Sequence, residues 1–190
     1  MLPVHMAPEE YAQLLGALRK LRPRRFLEWG TGGSTAHLLA DCDSIERYVA
    51  VEHDRAWFEK VRAAVTDPRL ELHHVPPSEP PPRRGLFKHR LVAWNARAER
   101  DAALLAAYVA LPRTLGISFD AVLVDGRARR FCLPAGWALL RGGGLLVLHD
   151  AQRADYRDAL LSLGTPLLLE PWSRGQIALL TKPQSDPSTN

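Results

Sequence analysis

The sequence predicts an α/β fold: an open, doubly wound, mostly parallel sheet in three layers. Short apolar runs that end in polar residues recur along the chain, and amphipathic or Ala-rich stretches separate them. The first run breaks into a glycine turn, "RFLEWGTGGST" from Arg25 to Thr35, that opens directly into a helical stretch. The runs "AVLV" and "LLVL" suit strands covered by helices on both faces.

Each element has a local reason. Residues 8–21, "PEEYAQLLGALRKL", carry Pro8 and acids at the start and bases at the end, as the helix dipole favours. "RFLEW" is a short strand, and a helix runs from Ser34 to Asp41. "RYVAVE" is a second strand, after which Asp54 caps the helix "RAWFEKVRAAV". "RLELHHV" is a third strand. Five prolines in "PPSEPPP" exclude helix and central strand, so a long loop is expected from Pro76 to about Asn95, placed to close over a site. The helix "ARAERDAALLAAYVAL" follows, then the strand "FDAVLVD", a helix around "LPAGWALLR" and the strand "GLLVLHD". A helix over residues 154–162 and the strands "PLLLE" and "QIALLTK" complete the pattern, with a frayed tail over 184–190.

Length and composition fit one domain over residues 1–183: 190 residues, 46% hydrophobic and 24% charged. No apolar stretch approaches the ~20 residues that span a bilayer. The start of the chain has no basic, then apolar, leader pattern, so a cytoplasmic protein is expected. Cys42 and Cys132 have neither a disulfide framework nor metal-ligand spacing. The basic excess, 25 Lys+Arg against 21 Asp+Glu, is nearly all arginine without interleaved aromatics, which argues against nucleic acid.

In open α/β sheets ligands bind beyond the carboxyl ends of the strands. Glu28, Glu52, Asp125, His149 and Asp150 all fall there. Against the dinucleotide pattern G-x-G-x-x-G, Thr35 replaces the third glycine, and an acid beside the turn repels a pyrophosphate. Against acid-x-Gly-x-Gly the segment supplies Glu28, Gly30 and Gly32. Glu52 ends the next strand, where an acid can take both ribose hydroxyls.

These residues resemble the class I S-adenosylmethionine-dependent methyltransferases, with their Rossmann-like fold, over roughly Phe26 to Asp150. The resemblance implies a cofactor with a sulfonium, an ammonium and a carboxylate but no phosphate. Glu28 would serve the ammonium end, amides near Ser34 the carboxylate, Gly30 and Gly32 the close approach, and Glu52 the ribose. A closer resemblance, carried by "VEHDRAW", "VLVDGRAR" and "LHDAQR", is to sugar methyltransferases of the glucuronoxylan 4-O-methyltransferase type. It implies methylation of a hydroxyl on a small, polyhydroxyl acceptor.

Two chemistries stay open for the second half. Asp125 and Asp150 could hold a divalent metal such as Mg²⁺ that acidifies the acceptor hydroxyl, as in catechol-type enzymes, although Ala151 stands where their asparagine falls. Alternatively His149 or Asp150 is a general base, and Arg127 orients an anionic or polyhydroxyl acceptor. The bland alternatives are a turn-capping Asp125, a satisfied His149 and a solvated face for Arg127, Arg129 and Arg130. Rival classes are a nicotinamide-dependent oxidoreductase, a nucleic-acid methyltransferase and a non-catalytic cofactor-binding module.

Overall fold

The computed structural model of the protein describes residues 2–82, 88–170 and 175–184. Among them, seven strands form one sheet in the order β3-β2-β1-β4-β5-β7-β6. The first five are parallel: β1 (Arg25–Trp29), β2 (Arg47–Glu52), β3 (Leu70–His74), β4 (Phe119–Val124) and β5 (Leu140–Leu148). The last two, β6 (Leu167–Leu168) and β7 (Ala178–Thr181), run antiparallel at one edge. Strand order reverses between β1 and β4, so the crevice of a doubly wound sheet opens there.

The two sheet faces follow the strand period of two. On one face Phe26, Tyr48, Ala50, Leu123 and Val147 pack with α1 (Pro8–Leu21) and α2 (Gly33–Asp41) through Leu14, Leu18 and Leu38. On the other, Trp29, Val51, Val124 and Leu148 meet α4 (Lys88–Ala98), α5 (Ala106–Thr114) and α6 (Arg129–Leu139) through Trp94, Tyr108 and Leu133. The helix α3 (Arg55–Ala64) starts where Asp54 accepts the Trp57 N–H at 3.0 Å, as expected of that cap. A 3₁₀ turn at Ala154–Tyr156 leads into the short α7 (Arg157–Leu161). No helix among the described residues is long and apolar enough to cross a membrane.

Two expectations need correction. The segment 88–95 is helix, not loop, because Leu91, Trp94 and Ala98 recur at helical spacing and Trp94 and Ala98 bury in the core. The long helix expected over residues 96–111 is instead two. Between them Asp101 accepts the Ala103 N–H at 3.0 Å, a side-chain turn that competes with helical bonding. The centre of the expected loop (83–87), Trp172 and the tail over 185–190 lie outside the described residues.

The turns after β1 and β4 lie back to back. Gly30 has φ +87°, and a Cβ on it would sit 2.5 Å from the Gly126 Cα. Both the left-handed backbone and the backbone contact demand glycine. Gly16, exposed in the middle of α1, has nothing within 4 Å of a built Cβ. Gly30→Ala is therefore expected to cost about 2 kcal/mol or more in urea unfolding. Gly16→Ala should gain about 0.5–1 kcal/mol, since an unopposed helix-interior glycine is worth that much less than alanine.

Candidate active site

A cavity of about 760 Å³ lies at the carboxyl ends of the parallel strands, within the range of small-molecule clefts. Gly30, Thr31, Glu52, Asp125, Arg127, Arg129, His149 and Asp150 line it, and α4 contributes Leu91, Trp94 and Asn95. Pro81 and Pro82 also reach it, so the proline segment borders the cleft while α4 supplies a wall.

Glu28, Gly32 and Ser34 are not among the lining residues. Glu28 is fully buried, with the hydroxyls of Ser34, Thr35 and Tyr48 at 2.9, 2.6 and 2.9 Å from its carboxyl oxygens. The Thr35 hydroxyl also accepts the Gly32 N–H at 3.0 Å. Glu28 thus ties β1, the glycine turn and the first turn of α2 together, where the sequence pattern suggested an ammonium-facing carboxylate. Burial pushes its pKa up to about 8, against the pull of the three hydroxyls. At neutral pH Glu28 keeps its proton, so it brings no negative charge to the glycine turn. The chain start also covers the expected carboxylate site: the Pro3 carbonyl is packed against Gly33.

Glu52 stays charged. Burial alone would raise it, but the His53 ring, 2.9 Å away, and the N–H groups of Asp54 and Thr31 hold it below its ordinary value. His53 N–H and Asp54 N–H donate to Oε1 at 2.8 Å each, and Thr31 N–H donates to Oε2 at 3.1 Å. The rings of His53 and Trp94 stack near-parallel 6.0 Å apart, and Trp57 donates its indole N–H to the Thr31 carbonyl. These flat faces border the cleft beside a carboxylate that can accept hydroxyls.

Around Asp125 and Asp150 a single guanidinium organises the acids. Arg129 Nη2 donates to Asp125 Oδ1 (3.2 Å) and to the Asp125 carbonyl (2.9 Å), and Nη1 donates to Asp150 Oδ2 (3.2 Å) and to the His149 carbonyl. Its own N–H goes to Glu99 Oε2 at 2.9 Å, which secures the start of α6. Asp150 Oδ2 takes a second arginine, Arg153, at 2.8 Å. His149 Nδ1 lies 2.7 Å from Asp125 Oδ1. Burial raises Asp125, but the His149 hydrogen bond and the Arg129 charge outweigh it and bring the carboxyl below its ordinary value. Burial works against a charged His149 ring, yet Asp125 and Asp150 lift its pKa above the usual imidazole value.

This donor set does not fit a divalent metal. Arg129, always cationic, stands between the two carboxylates offered to Mg²⁺ and already bonds both. The described residues contain no cluster of three metal-ligating side chains, and Ala151 turns its N–H to the Gln176 carbonyl. His149, expected at the acceptor, lines the cleft with its ring largely buried and Nδ1 on Asp125. Its Nε2 is buried without a hydrogen bond and faces Glu10 Oε2 of α1 at 3.7 Å.

Arg127 lines the cleft, whereas Arg129 and Glu10 carry no sequence signal beyond their charge. One hint was available: buried strand-end acids need a countercharge, and the arginines after Asp125 are the nearest in sequence.

No protein-family model matches this chain, and no curated protein does. Solved structures do. A methyltransferase-like protein from Silicibacter pomeroyi DSS-3 superposes at TM-score 0.63 and 25% identity, over 99% of this chain and 93% of that one. An O-methyltransferase from Bacillus cereus in complex with S-adenosylhomocysteine gives 0.63 at 16% identity, over 95% and 84%. An S-adenosylmethionine-bound amino pentose methyltransferase from Micromonospora echinaspora gives 0.55 at 17%, over 92% and 90%. The fold is that of the class I methyltransferases. Its strand order and the switch-point cleft are those described above.

The Glu28 carboxyl makes a pH prediction with a definite sign. Its ordinary pKa is 4.5 and its folded value about 8. Between those values the folded state keeps a proton that the unfolded chain has lost, so this contribution to stability falls as pH rises and is gone above about 8. Urea unfolding at pH 5, 6.5 and 8 should show the wild type losing up to about 1.4 kcal/mol per pH unit relative to Glu28→Gln. Equal slopes for the two proteins would refute the buried, protonated carboxyl.

Proposed function

We propose that this protein is an S-adenosylmethionine-dependent O-methyltransferase acting on a hydroxyl of a small, polyhydroxyl acceptor. The observation that carries the reading is the charged Glu52 beside the Gly30–Thr31 turn, in a cleft at the sheet's switch point. A fixed carboxylate there suits ribose hydroxyls. The cleft also offers the aromatic faces of His53, Trp57 and Trp94 for a purine. Support for the transfer chemistry comes from neighbours described as an O-methyltransferase and as an amino pentose methyltransferase.

Gly30, Thr31 and Glu52 hold the cofactor, while Glu28, Gly32 and Ser34 act on it through the shape of the turn. When bound, the cofactor supplies a methyl group on a positively charged sulfur. The protein's part is to present an acceptor oxygen in line and to take its proton. Asp125, partly open to the cleft, receives the hydroxyl's hydrogen bond. The proton passes from Asp125 to His149 Nδ1, 2.7 Å away, once the ring is neutral. His149 Nε2–H is then stabilised by the Glu10 carboxyl behind it. Arg129 and Asp150 keep Asp125 in place.

Calorimetry should show S-adenosylhomocysteine binding and no binding of NAD(H). Glu52→Ala should weaken the former at least tenfold in a protein that still melts cooperatively; unchanged affinity would remove Glu52 from the site. Because His149 titrates above its ordinary 6.5, methyl transfer should rise with pH through a titration lying above that value. In His149→Asn that rising limb should disappear and the rate fall by about 10²-fold or more.

A further inference from the structure

We infer that the methyl acceptor carries an anionic group, a carboxylate or a phosphate, which Arg127 binds. The inference rests on the methyl-transfer reading and names the substrate class that reading leaves open. Arg127 sits on the turn after β4, half-buried, and lines the cleft beside Asp125 and Gly126. Among the described residues, every other arginine that lines the cleft is spoken for. Arg129 bonds Asp125 and Asp150, and Arg153 pairs with Asp150 at 2.8 Å. Arg127 alone of the three has no hydrogen bond or ion pair for its guanidinium among the described residues.

Among the described residues no carboxylate bonds it. Glu99, whose charge it feels, is buried and takes the Arg129 N–H at 2.9 Å. Asp125 and Asp150 already share Arg129. A half-buried guanidinium that loses water and gains no partner is costly, and an ordinary protein would pair it or expose it. A neutral polyol offers hydrogen bonds but no countercharge; a carboxylate or phosphate offers both, in a geometry that matches the planar fork.

The backbone keeps the two neighbouring arginines on separate duties. Ala128 between them is fully buried and left-handed, at φ 55° and ψ 33°, a conformation unfavourable for a residue with a Cβ. The kink lets Arg129 turn into the acid cluster while Arg127 stays on the cleft wall.

The test is calorimetric titration of the S-adenosylhomocysteine-saturated protein with inorganic phosphate and, separately, with acetate. Saturable binding of at least one, on the order of millimolar, is expected; the stronger of the two identifies the anion. Arg127→Gln should weaken it at least tenfold with S-adenosylhomocysteine affinity unchanged, and Arg127→Lys should retain part of it. No saturable binding, or binding indifferent to both substitutions, overturns the proposal. So does a tenfold loss of S-adenosylhomocysteine affinity in Arg127→Gln, which would give this arginine to the cofactor's own carboxylate. If the wild type binds no S-adenosylhomocysteine, the cofactor reading fails separately. The anion titration of the ligand-free protein then still decides whether Arg127 is an anion site.

Discussion

The guanidinium of Arg129 is the interaction on which the cleft depends. Parallel strands bring their carboxyl ends to one rim, and in this chain three of those ends carry acids that border the same cavity. Asp125 and Asp150 on adjacent strands would repel each other across a poorly solvated space. Arg129 compensates both and fastens the backbone of Asp125, Gly126 and His149 in the same gesture. Removing one member of such a buried set typically costs about 3–5 kcal/mol, because the remaining charges lose their partner. The rim is therefore held together by a single side chain.

The two buried acids nearest the glycine turn solve their burial in opposite ways. Glu52 collects N–H donors and remains ionised, whereas Glu28 collects hydroxyls and keeps its proton. Hydroxyls can accept as well as donate, so they suit a neutral carboxyl; amide N–H groups only donate and so favour the charged form. One carboxyl stays charged on the cleft wall and the other is a neutral strut behind the glycine turn.

Much of this was legible in the sequence because its causes are local. The strand "RFLEW", the helix over 8–21 and the Asp54 cap each follow from a few neighbouring residues, and the structure places them at those positions. The doubly wound order follows from alternation and handedness. What was not legible is set by distant contacts. Whether Glu28 faces a ligand depends on Tyr48, twenty positions away, and whether Asp125 and Asp150 bind a metal depends on where Arg129 points. The misplaced start of α4 has a milder cause: five prolines dominate the reading of their surroundings, and the spacing of Leu91, Trp94 and Ala98 is short enough to be overlooked.

The first residues of the chain belong to the cleft. The Pro3 backbone lies on Gly33, and the His5 ring leans on Trp57 at a centroid distance of 5.9 Å while bordering the cavity. Trimming residues 3–5 would therefore uncover Gly33 and strip one ring from the border of the cavity.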